Sequence, residues 1–140
     1  NKNPVVVLVG DGCMQINIQE LQTIVRNNLP IKIIVLNNQS LGMIRQFQDS
    51  YFEGRYQSTV WGYTAPNFEN IAQAYGIKSK TISDEKEIDA AVAALWEDEA
   101  APYLLQVMID LKTNAYPKIA FGRPITDMEP FVKPTEIEGT

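Results

Sequence analysis

The chain has 140 residues, enough for one domain that buries about 70% of the surface its unfolded form exposes. Its 45% hydrophobic and 21% charged residues are those of an ordinary globular protein, and a net charge of -5 leaves no basic stripe for nucleic acid. Histidine is absent, which removes His-based triads and metal clusters. Cys13 stands alone, which excludes an internal disulfide and fits a reducing, cytoplasmic setting, and no apolar run approaches the roughly 18 residues of a membrane span.

The chain opens on Asn1-Lys2-Asn3-Pro4 without an initiator methionine, so it is expected to be a piece of something longer. Val5 to Val9 is a continuous β-branched and apolar run, as in a strand covered on both faces. Gly10-Asp11-Gly12 follows directly, with a helix expected to start near Ile16. Ile18, Leu21, Ile24 and Val25 share one helical face, and Pro30 bars continuation. Ile31 to Leu36 reads as a second buried strand and ends in Asn37-Asn38. A short helix is expected within Leu41 to Tyr51, then an irregular loop over residues 52 to 66.

Asn67 can cap a helix with Phe68, Ile71, Ala72 and Tyr75 inside and Gly76 as its left-handed stop. Ser79 to Ile82 reads as a third strand. Asp84 and Glu87 have the spacing of a capping box for a helix whose apolar face is Ile88, Ala91, Val92, Leu95 and Trp96, with Trp96 in the core. Pro102 introduces a fourth strand, Tyr103 to Ile109. From Asp110 onward, four prolines and two glycines in 31 residues point to an extended tail lying over the surface. Strands alternating with helices imply one α/β domain, a mainly parallel sheet with helices on both faces over residues 1–110, and a tail over 111–140.

In such a sheet ligands gather beyond the carboxyl ends of the strands. Asp11 ends one apolar run and Asn38 the next, with 24 residues between Gly12 and Asn37, the length of one helical crossover. If the two strands are neighbours, a carboxylate and a carboxamide converge. Mg²⁺ seeks about six oxygens, a few from protein and the rest from phosphate and water; the backbone carbonyl of Ser40 is a plausible third protein ligand. Gly10 and Gly12 allow close approach of a phosphate. A nicotinamide or flavin site is the nearest competitor, but the third glycine of that fingerprint would fall at Gln15, and the second strand ends in asparagines instead of an acidic residue.

Gly10-Asp11-Gly12, two dozen residues, then Asn37-Asn38 resembles the signature of thiamine-diphosphate enzymes. Asn17-Ile18-Gln19-Glu20-Leu21, Val35-Leu36-Asn37-Asn38, Leu41-Gly42-Met43 and Gln46-Phe47-Gln48 resemble the C-terminal diphosphate-binding domain of the acetolactate synthase large subunit, from about Pro4 to Pro117. The resemblance implies that Asp11, Asn38 and Ser40 hold Mg²⁺, that Gly10, Gly12, Cys13, Leu41, Gly42 and Met43 belong to the cofactor site, and that Met43 and Phe47 border the substrate pocket. It further implies decarboxylation of a 2-oxo acid such as pyruvate and condensation of the enamine with a second 2-oxo acid. Another thiamine-dependent decarboxylase, oxidase or carboligase, or a non-catalytic cofactor-binding subunit, are the alternatives. No catalytic residue is expected in this chain, because the family's activating glutamate lies on a pyrimidine-binding domain, expected from a second subunit of a dimer or tetramer. FAD would belong to a further domain. Two features depart from the family: Phe47 stands where Trp is usual, and Pro117 to Pro124 is not the usual ending. The isolated chain is expected to be silent.

Among other residues, Cys13 reads as a small side chain in a tight turn, and Glu20 as facing a partner or solvent. Phe47, Tyr51, Phe52, Tyr56, Trp61 and Tyr63 read as a surface for another domain or subunit, and Lys118 and Arg123 as solvated charges.

Overall fold

The computed structural model describes residues 3–119 and 121–130; Asn1, Lys2, Ala120 and the expected continuation of the tail over 131–140 lie outside the described residues. Four strands, β1 (Val5–Gly10), β2 (Ile31–Asn37), β3 (Lys78–Ile82) and β4 (Tyr103–Met108), form one sheet in the order β1-β2-β4-β3. Every pairing in it is parallel. The helices are α1 (Asp11–Ile16), α2 (Glu20–Arg26), α3 (Gly42–Tyr51), α4 (Phe68–Ala74) and α5 (Ile88–Leu95).

Alternation along β2 and β4 creates two cores. Ile33, Val35 and Leu104 point to one face, where Met14, Leu21, Ile24, Phe68, Ala72 and Ile77 cover them. Leu105 and Tyr103 point to the other, packed with Ile82, Ala91 and Leu95. Helices therefore lie on both faces, as the alternation of elements requires. Asn67 caps α4 by accepting from the Asn70 amide, Gly76 takes φ +79°, and the Asp84–Glu87 capping box is formed. No helix among the described residues is long and apolar enough to cross a membrane.

Several expectations need correction. The first helix starts at Asp11, not near Ile16, and α2 is a separate helix after a break at Asn17. β1 is an edge strand, and Val5, Val6, Val7 and Leu8 are 38 to 66% exposed instead of covered. An apolar run reports that a strand wants cover; it does not report that the described residues supply it. Trp96 is not core. It caps the C-terminus of α5, 37% exposed, with the Lys32 Nζ 5.8 Å from its ring centroid. Ile88 and Val92 are exposed too, because the face of α5 that meets the sheet is Ala91 and Leu95, with Ala94 beside them.

Sequence reading also passed over two buried polar residues. Lys32 sits inside β2 at 1% exposure, its Nζ donating to the carbonyls of Asp98 and Ala101, both at 2.6 Å. Burial pushes this ammonium down from its ordinary range, against the opposing charges of Asp98 and Glu99. Gln106 in β4 accepts from Asn37 Nδ2 (3.3 Å) and from the Phe68 amide (3.0 Å), and donates to Thr81 Oγ1 (3.1 Å). It ties β2, α4 and β3 to one amide.

Beyond β4 the chain returns across α3. Buried Arg45 donates to Thr113 O (3.0 Å) and Asn114 Oδ1 (2.6 Å), and Gln46 exchanges two hydrogen bonds with Ala115. Residues Lys118–Ile119 and Met128–Glu129 then pair antiparallel as β5 and β6, so the tail is not merely extended.

Candidate functional site

Parallel pairing of β1 with β2 sets Gly10 beside Leu36, so the chain leaves both strands at one edge of the sheet. Asp11 and Asn38 follow directly. Asp11 is 3% exposed; its Oδ1 accepts from the Gly12 amide at 3.0 Å, and its Oδ2 is buried with no hydrogen-bond partner. Burial raises this carboxyl above its ordinary value, while the amides of Gly12 and Ser40 and the Tyr63 hydroxyl act in the opposite direction. The Ser40 amide is thus close to the Asp11 carboxylate. The Oγ of Ser40 is the second buried oxygen without a partner.

The turn after β2 explains how Asn38 and Ser40 arrive there. Asn37, 1% exposed, accepts from Gln39 N (3.0 Å) and Gln39 Nε2 (2.9 Å), which stabilises Gln39 at φ +54°. Asn38 Oδ1 accepts from Ser40 N at 3.1 Å, a second turn of the same kind. Asn37 is thereby engaged within the fold, and Asn38 is half-buried in the turn that follows it. Gly42 is needed where it stands: a Cβ there would lie 2.6 Å from Asn38 Nδ2. At Gly12 a Cβ would lie 2.5 Å from Leu41 Cδ2 and 3.4 Å from the Tyr63 hydroxyl. Gly12, Leu41, Gly42 and Asn38 are therefore packed together. Gly10 has nothing near its missing Cβ.

Met43 and Phe47 lie one turn apart on α3, 66% and 41% exposed. Phe47 packs tilted against Tyr51 (4.6 Å between centroids) and Phe52, and edge-to-face against Phe121. Cys13 is exposed and lines an apolar hollow of about 210 Å³ with Val7, Val9, Met14 and Leu21, on the α1–α2 side of the sheet. Glu20 is exposed and accepts from Thr23 Oγ1. Lys118 touches Ser50 and Glu129, and Arg123 pairs with Asp127.

Tyr63 was missed as a residue of the site itself. Its hydroxyl accepts from Gln15 Nε2 at 3.0 Å and is pushed up to about 12, by burial first and by the Asp11 charge second. Nothing local in the sequence links it to Asp11, 52 positions away; loop 52–66 brings it there through Leu41 N to Thr59 O (3.0 Å) and Gln15 Nε2 to Thr64 O (3.3 Å).

The donor set suits a hard cation. A partnerless buried carboxylate oxygen, a carboxamide oxygen and the backbone of Ser40 are oxygen ligands of the type Mg²⁺ takes together with phosphate and water. Among the described residues no group of three or more His, Cys, Asp or Glu comes together.

The chain is 39% identical over 124 residues to the Escherichia coli acetolactate synthase isozyme 2 large subunit, covering 89% of this chain and 22% of that one. It is 37% identical over 133 residues to the Pyropia yezoensis acetolactate synthase large subunit, covering 94% of this chain and 22% of the relative. It thus spans about a fifth of the length of these curated relatives. A solved structure, the Rhodococcus jostii thiamine diphosphate-dependent 4-hydroxybenzoylformate decarboxylase, superposes with a TM-score of 0.67 at 25% identity, over 79% of this chain and 20% of that one. The family model for the thiamine pyrophosphate enzyme C-terminal TPP binding domain matches residues 1–107. With that match and the strand-end oxygens it spans, the chain belongs to the thiamine pyrophosphate enzymes, as their C-terminal cofactor-binding domain.

Proposed function

We propose that the chain is the diphosphate- and Mg²⁺-holding domain of an acetolactate synthase-like enzyme, which decarboxylates a 2-oxo acid such as pyruvate and joins the product to a second 2-oxo acid. The observation that carries this is the buried, partnerless Oδ2 of Asp11 beside Ser40, at the shared edge of β1 and β2. In this reading Asp11, Asn38 and the Ser40 carbonyl hold the cation. Gly10, Gly12, Cys13, Leu41 and Gly42 shape the cradle for the diphosphate, with Gly12 and Gly42 letting Leu41 and Asn38 pack close against the turn. Met43 and Phe47 border the substrate. Thiamine diphosphate, when bound, supplies the electron sink for loss of CO₂. The chain's own residues orient it and exclude water; none of them is assigned a proton transfer.

The rest of the machinery falls to other parts of the protein: a pyrimidine-binding domain from a second subunit of a dimer or tetramer, and FAD, where present, in a further domain. Residues 1–110 form the cofactor unit and 111–140 the tail. The cytoplasm is the proposed location, resting on the single free thiol at Cys13.

The test is product analysis of the full-length protein supplied with Mg²⁺, thiamine diphosphate and pyruvate, with and without 2-oxobutanoate. Acetohydroxy acids are the expected products, lost in Asp11→Ala. Release of the aldehyde alone would replace synthase by decarboxylase. Turnover of pyruvate by the isolated 140-residue chain would contradict the division of labour.

A further inference from the structure

The Gln15 amide has a fixed orientation. Its Nε2 lies 3.3 Å from Thr64 O, a backbone carbonyl that can only accept, so the nitrogen is placed on that side. The same Nε2 donates to the Tyr63 hydroxyl at 3.0 Å. With its oxygen accepting that hydrogen bond, the Tyr63 hydroxyl has its own hydrogen to direct, and it stands beside Gly12, whose amide donates to the Asp11 carboxylate; the charge of that carboxylate helps raise the hydroxyl. The hydroxyl also lies 3.4 Å from where a Gly12 Cβ would be, directly over the turn that carries Asp11. Asp11 Oδ1 is occupied by Gly12 N, and Oδ2 remains bare.

We infer that Tyr63 is a positioning residue for the cation: held by Gln15, it donates a hydrogen bond from its hydroxyl to the Asp11 carboxylate, keeping its proton, and fixes the angle at which the bare oxygen meets Mg²⁺. The loop over residues 52–66 thereby becomes part of the metal site without contributing a ligand. Partners of this kind orient metal-binding side chains, and their removal costs roughly 10–100-fold in metal affinity. Mg²⁺ is more demanding than Ca²⁺, because it insists on near-octahedral geometry while Ca²⁺ tolerates irregular sites. Loss of the Tyr63 contact should therefore weaken Mg²⁺ more than Ca²⁺. The inference rests on Asp11 being a cation ligand.

The experiment is calorimetric titration of Mg²⁺, and separately of Ca²⁺, into the longest natural protein containing this chain, at saturating thiamine diphosphate. Wild type, Asp11→Ala, Tyr63→Phe and Gln15→Leu are compared, together with the melting temperature of each without cation. The expected result is a loss of at least about tenfold for Mg²⁺ in Tyr63→Phe, a smaller loss for Ca²⁺, and a partial loss of the same kind in Gln15→Leu. Mg²⁺ affinity within twofold of wild type in Tyr63→Phe would overturn the inference. An equal fall for both cations accompanied by a lower cation-free melting temperature would overturn it as well, by making Tyr63 a packing residue. Unchanged Mg²⁺ binding in Asp11→Ala would instead bring down the ligand assignment beneath it.

Discussion

Asp11 is buried at 3% exposure with one oxygen bare, a state that costs free energy in the cation-free protein. Asp11→Asn keeps the shape and removes the charge, so the cation-free variant should melt higher, by about 3 °C, and should lose the stabilisation that Mg²⁺ plus thiamine diphosphate gives the wild type. Parallel thermal melts with and without the ligands read both changes. Tyr63 makes the corresponding statement about alkali. Its proton is held up to about 12, whereas an unfolded tyrosine releases it near 10. Between those values the folded state carries the extra proton, so stability from this group is complete below about pH 10 and is lost as pH rises toward 12. Tyr63→Phe should flatten that decline in urea melts compared at about pH 9.5 and 11.5.

At the scale of elements, α3 links the site to the tail. Arg45 reaches Asp49 at 2.7 Å, the Thr113 carbonyl and Asn114; Asp49 in turn accepts from the Tyr56 hydroxyl in the following loop. Arg45→Ala should cost about 2 kcal/mol and expose residues 113–119 to limited proteolysis before the sheet unfolds. Arg45→Lys should not restore protection, since one ammonium cannot serve three directions at once. Elements of this kind were visible in the sequence to unequal degrees. The capping pair Asp84 and Glu87, the stop at Gly76 and the buried strands β2 and β4 were legible because each depends on residues a few positions apart. The paired strand-end oxygens were legible because one crossover separates them. Arg45, Lys32, Gln106 and Tyr63 were not, since what makes each of them matter is a partner 25 to 69 positions away or a loop whose path no local pattern fixes. The exposure of β1 and Trp96 was misread for the opposite reason: hydrophobicity states a preference, and only topology says whether it is met.

For the molecule as a whole, the sheet order places the two sources of the proposed cation ligands very differently. β2 lies between β1 and β4 and carries Asn38 and Ser40 from a supported position. β1 carries Asp11 from the rim, paired on one side only among the described residues, with its first four residues exposed. A cation bridging the two tips would act as a rivet, fastening the outermost ribbon to the rigid interior at the end opposite the Val5 N to Pro30 O contact. Deuterium uptake at the amides of Val6 to Val9 should then slow on addition of Mg²⁺ and thiamine diphosphate, while the amides of β4 change little. Cofactor loading would in this way be written into the breathing of a strand that itself supplies none of the proposed ligands.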